Sequence, residues 1–599
     1  MFARWIACLV IAAALRLAFP LVASDQPDQA VPYRSPASVA FSPDGELLYV
    51  YEIGSNTIAV VEFRSGHVRD RLAPGDEDPA IDPAQRRPPA GVDLGLSLLG
   101  AGAARSPEGP VRAARFRIAQ VAYLIGQDTL AMVDLRRHRA YLGSAAEGRE
   151  GLRAFDVGPN PHSAALTPDG RRLLVTCDTP TELNRSVSVV DGGDESVIRV
   201  SLPGATSLRG IAVSPDGRFA LVAHVQARSH LPATQVAQGW VFTNVMTYLP
   251  LDGGSGPVSL PLDHPTEFFA TPFDVVIAGD GKTAYVSHAG ADVVSVLDVN
   301  ALEQTARELA VGGGDYDGAR DLRLSWRYVK ARIPVGANPR ALALNPSGDR
   351  LVAANYLGDS LSVIDVASNQ VVETIPLGAR QADLARRGEQ LFNSARLSFS
   401  GQFACASCHP DGGADGLNWD LAADGIGNFK NTKTLLGVHG TGPFGWLGTT
   451  ATLPERFGTT LRQTFQHEPT GEELKAISAY LEQLGPSAAP RRVDPASPEA
   501  MRGRELFHDV AGCGRCHRGP HLTDGQRHHV GTAGPTDLAE TFDTPSLVGV
   551  SETPPYLHDG RAATLESIFL EHNESGRHGS ADQLTEEELA DLVAFLKSL

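Results

Sequence analysis

Cys405-Ala406-Ser407-Cys408-His409 and Cys513-Gly514-Arg515-Cys516-His517 are the two stretches around which this chain of 599 residues is organised. Each reads C-x-x-C-H, the attachment signature of c-type haem, in which two thiols bond one porphyrin and the next histidine binds its iron. The alternative is a zinc site or a redox dithiol, but zinc needs further cysteines or paired histidines, and none flank these motifs. The sequence therefore predicts two c-type haems, with attachment residues Cys405, Cys408, Cys513 and Cys516 and axial ligands His409 and His517.

Both motifs lie in segments with the same helical plan. An amphipathic helix precedes the first motif at residues 382–392, and a closing helix follows it with the capping box Thr470 and Glu473. The second copy opens at residues 498–507 and closes with the box Thr585 and Glu588. We expect two mainly α, cytochrome c-like modules, residues 381–488 and 489–599.

Residues 36–378 repeat one phrase, in which a Pro-Asp-Gly type of turn joins two alternating apolar runs. Such a turn indicates a hairpin, and four strands per repeat at this period indicate the blade of a β-propeller. The turn aspartates or their equivalents are Asp44, Asp169, Asp216, Asp280 and Ser347. The long interval between Asp44 and Asp169 hides at least one blade, so six are visible or half-visible, and we expect an all-β, seven-bladed propeller over residues 25–380.

One position of the repeat carries chemically active side chains. Eight residues after each turn position stand Glu52, Cys177, His224, His288 and Asn355. A polar group at a strand end normally bonds a local partner, which is the simpler interpretation. The alternative is a propeller metal site for Cu or Zn, formed by Glu52, Cys177, His224 and His288.

The net charge and the first residues of the chain indicate its partners and its location. A formal net charge of −18 argues against nucleic acid as a partner. Residues 1–24 read as a secretory signal peptide, with an uncleaved anchor as the alternative, and no second apolar run of spanning length follows. We expect a periplasmic or secreted protein with no membrane span after cleavage.

Two family resemblances extend these inferences. The repeats, for example NYLGDSLSVID at residues 355–365, resemble the YVTN-type β-propellers, which implies a fold more than an activity. Residues 542–566, FDTPSLVGVSETPPYLHDGRAATLE, resemble the signature of bacterial di-haem cytochrome c peroxidases and MauG-type maturases. The second resemblance covers residues 385–599 and implies H2O2-dependent oxidation.

The peroxidase resemblance also implies roles for individual residues. Trp446 falls where the family has an aromatic bridge between the haems, and Asn431, Thr553 and Pro555 fall where it holds a structural Ca²⁺. The first module lacks the family's distal histidine, so its haem is open or is capped by Asn428, His439 or His467. The family's sixth ligand to the second haem, fourteen residues after the His of His558-Asp559-Gly560, is here His572.

Four other histidines, His521, His528, His558 and His578, are interpreted as loop or haem-propionate partners. Glu455 and Glu468 are candidates for the acid–base residue.

The expected function is a peroxidase-like oxidoreductase. H2O2 would react at the first haem, the second would relay electrons, and the propeller would dock an electron-donor protein or a protein substrate. Two alternatives remain open: an electron-transfer protein without catalysis, and a dehydrogenase with its active site in the propeller.

Overall fold

The computed structural model describes residues 32–72, 114–118, 121–125, 129–135, 138–144, 147, 151–178, 184–238, 241–311, 317–421, 425–486 and 493–599. The signal peptide expected at residues 1–24 lies outside these ranges. Within them, no helix has both the length and the apolar character needed to cross a membrane.

The N-terminal half is a β-propeller built from six antiparallel sheets. Blades one to three comprise β1 (Pro36–Phe41), β2 (Leu47–Glu52), β3 (Thr57–Glu62), β4 (His67–Leu72), β5 (Ala114–Ile118), β6 (Val121–Ile125), β7 (Thr129–Asp134), β8 (Arg139–Ser144), β9 (Arg153–Asp156), β10 (Pro161–Leu166), β11 (Arg172–Cys177), β12 (Asn184–Asp191) and β13 (Val197–Pro203). Blades four to six comprise β14 (Ala205–Thr206), β15 (Ile211–Val213), β16 (Phe219–Ala227), β17 (Phe242–Pro250), β18 (Val258–Pro261), β19 (Pro272–Ile277), β20 (Thr283–His288), β21 (Val293–Asp298), β22 (Val329–Pro334), β23 (Pro339–Leu344), β24 (Arg350–Asn355), β25 (Ser360–Asp365) and β26 (Gln370–Pro376).

The expectation of seven blades is wrong. The interval between Asp44 and Asp169 contains one blade, β5–β9, together with residues outside the described ranges. The inner strands contact one another around the ring, and β23 of the sixth blade packs against β1 of the first. Since this contact closes the ring, the described blades leave no open edge for a seventh.

The repeated turns form as their composition predicts. In the first blade, the Asp44 carboxylate accepts hydrogen bonds from the Ser42 hydroxyl (2.6 Å) and from the Glu46 backbone N–H (3.0 Å). Gly45 follows with φ of 74°, a conformation that side chains disfavour. The turn therefore joins β1 to β2 as a tight hairpin.

Two helices, α1 (Val299–Val311) and α2 (Ser325–Tyr328), lie between β21 and β22. The first haem module follows the propeller as α3 (Leu384–Asn393), α4 (Cys405–Cys408), β27 (Asn418–Trp419), β28 (Lys430–Asn431), α5 (Leu453–Gln463) and α6 (Gly471–Gln483). The second comprises α7 (Pro498–His508), β29 (Arg527–His528), β30 (Phe542–Asp543), α8 (Leu565–Leu570) and α9 (Glu586–Lys597). In each module the opening helix packs on the closing helix, α3 on α6 and α7 on α9.

Apolar contacts join the propeller to the first module. Phe242 of β17 stacks on Phe403 and Trp419, with ring centroids 4.7 and 4.9 Å apart. The same buried cluster contains Val225 of β16 and Leu461 of α5. The fourth blade thus forms part of the core of the first haem module.

Polar contacts surround this apolar interface between the propeller and the first module. Asp411, two residues after His409, pairs with Arg209 (3.5 Å) and Arg340 (3.3 Å) of the propeller. Arg386 of α3 is buried against Asp359, 3.0 Å away. The Asp411 pairs hold the loop after the first C-x-x-C-H motif on the propeller, and the Arg386 pair holds α3 there.

Candidate functional site

The two C-x-x-C-H motifs open onto one continuous cavity between the haem modules. All four motif cysteines and both motif histidines line this cavity: Cys405, Cys408, His409, Cys513, Cys516 and His517. Apolar side chains supply most of the remaining wall, among them Phe457 and Phe465 in the first module and Leu565 and Ile568 in the second.

In the first module, the His409 ring is fixed by its own loop. Its Nδ1–H donates to the Gly413 carbonyl at 3.1 Å, which leaves Nε2 to bind a metal. Burial lowers the pKa of His409 to about 4 and raises the pKa of Cys405 to about 12. The imidazole is therefore neutral, as an iron ligand must be.

The second module repeats this arrangement. The Nδ1–H of His517 donates to the Leu522 carbonyl at 3.1 Å, and burial lowers the pKa of the ring. Burial also raises the pKa of the Cys513 thiol to about 11. Two paired thiols, an oriented neutral histidine and apolar walls in each module fit covalently bound haem.

Trp446 lies where the modules meet. Its indole N–H donates to the Asn431 carbonyl at 2.7 Å, and the Lys433 ammonium lies 4.6 Å from its ring centroid. In the second module, the centroid of the His558 ring lies 6.4 Å from that of Trp446, and the Trp446 carbonyl accepts from the Asp543 N–H at 2.8 Å. Trp446 thus contacts both modules and lines the cavity they share.

A buried ion pair also joins the modules at this point. Asp537 of the second module accepts from the Lys430 ammonium (2.7 Å) and pairs with Nε2 of His558 (2.8 Å). Burial lowers the pKa of His558 even though Asp537 opposes the shift. The His558 ring also stacks on Phe542 at 3.9 Å, so it is held by protein groups on two sides.

The residues expected at Ca²⁺ all lie at the same junction. Asn431, Thr553 and Pro555 line the cavity, and a Cβ atom added to Gly560 would lie 3.0 Å from both the Asn431 side-chain nitrogen and the Pro555 ring. The Asn431 carbonyl is engaged by Trp446 and its side-chain amide donates to Asn418 at 3.1 Å. The Ca²⁺ site stays a prediction.

The three distal candidates of the first module do not line the cavity. His439 is exposed, His467 pairs with Glu473 at 3.1 Å, and Asn428 is buried beside Lys430. Among the described residues that line the first module's part of the cavity, His409 is the only histidine.

The acid–base candidates have other partners. Glu455 closes the capping box of Thr452 at the start of α5, and Glu468 pairs with Arg462 at 3.0 Å on the surface. Neither carboxylate lines the cavity.

In the second module, two histidines to which sequence reasoning assigned different roles lie differently from what was expected. His572 does not line the cavity, because α8 ends at Leu570 before that position is reached. His578, which sequence reasoning interpreted as a loop or propionate partner, does line it. A count of residues from His558 could not find His578, since its position depends on how the chain turns after α8.

The four propeller residues proposed for Cu or Zn are each bonded locally. Glu52 pairs with Arg71 at 2.9 Å, Cys177 lies 3.5 Å from the Ser188 hydroxyl, His224 bonds Thr247 at 2.7 Å, and His288 bonds Ser295 at 2.6 Å. Within the described ranges, the one group of at least three His, Cys, Asp or Glu ligand atoms within 4.8 Å of one another is Cys516, Asp524 and His528. The structure therefore does not bring the four propeller residues together.

Three family profiles match this chain. The profile described as di-haem cytochrome c peroxidase matches residues 382–488, that of cytochrome c matches residues 500–599, and that of the seven-bladed lactonase propeller matches residues 144–374.

Among curated relatives, hydrazine synthase subunit gamma of Kuenenia stuttgartiensis is 32% identical over 276 residues, covering 37% of this chain and 78% of that protein. Subunit beta of the same organism is 31% identical over 209 residues, covering 35% of this chain and 54% of that protein, so this match spans about half of it. The methylamine utilization protein MauG of Methylophilus methylotrophus is 27% identical over 282 residues, covering 37% of this chain and 83% of that protein.

Proposed function

Because the chain belongs to the di-haem cytochrome c family that includes hydrazine synthase subunit gamma, MauG and the cytochrome c peroxidases, we propose that it is an H2O2-dependent oxidoreductase acting outside the cytoplasm. The family relationship makes it a peroxidase-like, di-haem enzyme. The use of H2O2, the electron relay, the role of the propeller and the location outside the cytoplasm are the parts that we propose.

The asymmetry of the shared cavity carries the proposal. The first module's part of it contains no described histidine besides His409, whereas the second module's part contains His528, His558 and His578 besides His517. A first centre without a second histidine leaves room for a small oxidant. A second centre with a further histidine is suited to electron transfer.

The chain's own residues have distinct tasks in this proposal. The c-type haems supply the redox chemistry of the reaction. The backbone carbonyls of Gly413 and Leu522 hold His409 and His517 in one orientation and one tautomer. Trp446 is proposed as the aromatic contact between the modules, where Lys433 stabilises the electron-rich face of its ring.

The propeller is proposed to dock an electron-donor protein or a protein substrate. Arg209 and Arg340 on the side of the first module are already paired with Asp411. Docking therefore uses the propeller surface that the first module leaves uncovered.

The test uses the purified holoprotein with H2O2 and an artificial one-electron donor. We expect consumption of peroxide, and we expect cyanide to perturb the spectrum of one haem and leave the other unchanged. A Cys405→Ala, Cys408→Ala variant should lose both responses. His439→Ala, a change at an exposed histidine of the same module, is the matched control and should keep both.

Two results would favour the alternatives. If neither haem responds to cyanide or peroxide, even after partial reduction, the protein is an electron-transfer protein. If elemental analysis finds Cu or Zn that a His224→Ala, His288→Ala variant loses, the propeller dehydrogenase is favoured.

A further inference from the structure

The loop that follows α8 is held in a fixed course by Asn573. The side-chain carbonyl of Asn573 accepts from the His578 backbone N–H at 2.9 Å. Its side-chain amide donates to the carbonyls of His578 and Gly579 at 3.3 and 3.1 Å. Three hydrogen bonds from one buried side chain therefore close the loop around residue 578.

This loop passes directly over the second attachment site. A Cβ atom added to Gly579 would lie 3.6 Å from the Sγ of Cys513. Arg577, His578 and Gly579 all line the cavity into which Cys513 and His517 open. The imidazole of His578 is thus presented to the same space as the proximal histidine.

The His578 ring has the properties of a metal ligand. Its Nδ1 is buried and has no hydrogen-bond partner in the part of the chain that the structure describes. A buried polar nitrogen without a partner destabilises the folded protein, unless a bound cofactor supplies the missing partner.

The other histidines of the second module's cavity wall are already engaged. His528 pairs with Asp524 at 3.0 Å, and His558 pairs with Asp537 at 2.8 Å while stacking on Phe542.

We propose that His578, and not His572, is the sixth ligand of the haem iron bound by His517. Asn573 is the positioning residue that holds the ligand loop. The inference rests on haem attachment at Cys513 and Cys516 and does not require peroxide turnover. The second haem is then low-spin with two imidazole ligands, which lowers its reduction potential relative to a His/Met site.

The test compares two single substitutions in the holoprotein by EPR and near-infrared magnetic circular dichroism. His578→Ala should convert the low-spin second haem to high-spin, and added imidazole should restore the low-spin signal. The matched control His572→Ala should leave the low-spin signal unchanged. Retention of that signal in His578→Ala, or its loss in His572→Ala, would overturn the assignment.

Two further measurements keep the test independent of folding and of activity. His578→Met retains a ligand and should develop a sulfur-to-iron charge-transfer band, whose absence would contradict the proposal. A pyridine haemochrome count of two haems per chain in each variant shows that attachment is intact, and a count of one in the unaltered protein would refute the premise. Absence of peroxide turnover with these spectra unchanged would reject the proposed function alone.

Discussion

The two haem modules have the same frame and different cavity walls. In the first, Gly388 of α3 crosses α6 so closely that a Cβ atom would lie 1.9 Å from the Ala476 carbonyl oxygen. In the second, Gly503 of α7 crosses α9 with the same distance to the Asp591 carbonyl oxygen. The frame that holds each C-x-x-C-H motif is therefore duplicated to the level of one backbone contact.

The difference arises where the helix beside the cavity ends. In the first module, α5 runs for 11 residues, and Thr460, Thr464 and Phe465 at its end line the cavity. In the second, α8 stops after 6 residues, and the following loop brings His578 to the wall. The comparison teaches that the length of one helix decides whether a module offers a second ligand.

The largest expected effect is the loss of one module's haem. A Cys405→Ala, Cys408→Ala variant should bind one haem instead of two, because the first porphyrin loses both thioether bonds. The mirror variant Cys513→Ala, Cys516→Ala should also bind one, but should retain the cyanide response. Pyridine haemochrome counts check both. Two haems in either variant would show that haem is retained without those thiols, and none would show that the modules do not attach haem independently.

The shared frame predicts equal damage at the two glycines. Gly388→Ala and Gly503→Ala should each destabilise their module by about 3 kcal/mol, the upper part of the range for overpacking, since the added methyl group meets backbone. Thermal unfolding followed at the Soret band measures this. Gly471→Ala, at a helical glycine whose Cβ would meet nothing within 4 Å, is the control.

Stability should depend on pH in opposite ways at a matched pair of carboxylates. Burial raises the pKa of Asp415 in the first module to about 6, above its ordinary value of 3.8. Because the folded state then binds the proton more tightly, this group costs roughly 3 kcal/mol at pH 7, and that cost disappears as the pH falls from 6 towards 4.

Asp524 in the second module behaves differently. Burial raises its pKa, but hydrogen bonds from His528 and the Gln526 N–H outweigh burial, and the pKa lies below its ordinary value. Its stabilising contribution is present above pH 3.8 and is lost as the pH falls below it.

Unfolding of Asp415→Asn and Asp524→Asn between pH 4 and 7 tests this pair. Asp415→Asn should remove the gain in stability on acidification from pH 7 to 5, whereas Asp524→Asn should leave the slope in that range intact. An unchanged slope in Asp415→Asn would contradict the prediction.

The smallest expected effect concerns communication between the modules. Trp446→Phe should slow electron equilibration between the haems several-fold while leaving both haems bound, because the contact with both modules is reduced. Trp419→Phe, which removes an indole from the first module's wall only, is the control. Flash photolysis of the partly reduced, CO-bound protein measures the rate, and equal rates in the two variants would exclude Trp446 as the coupling residue.

Local sequence patterns predicted the frame of the molecule well. The capping boxes Thr470 with Glu473 and Thr585 with Glu588 form as expected, because they depend on residues within one turn of helix. The turn residues also predicted the propeller repeat, because the geometry of a turn depends on residues close in sequence. The number of blades was wrong, because ring closure between β1 and β23 joins residues more than three hundred positions apart in the sequence.

The cavity wall was harder to predict for the same reason. The position of His572 was counted along a helix, and α8 ends before it. His578 reaches the cavity through hydrogen bonds from Asn573 that no spacing rule contains. Residues in contact with Trp446 likewise come from separate segments of both modules.

The stacking of Phe242 on Phe403 and Trp419 has a consequence for how the protein matures after synthesis. A chain that begins at residue 381 would expose those two aromatic rings to water, while the buried cluster around Phe507, Leu565 and Leu592 would be complete without the propeller. The buried cluster of the second module therefore contains no propeller residue, whereas that of the first module is complete only with the fourth blade in place. Haem attachment at the first site should therefore depend on folding of the fourth blade, and attachment at the second site should not.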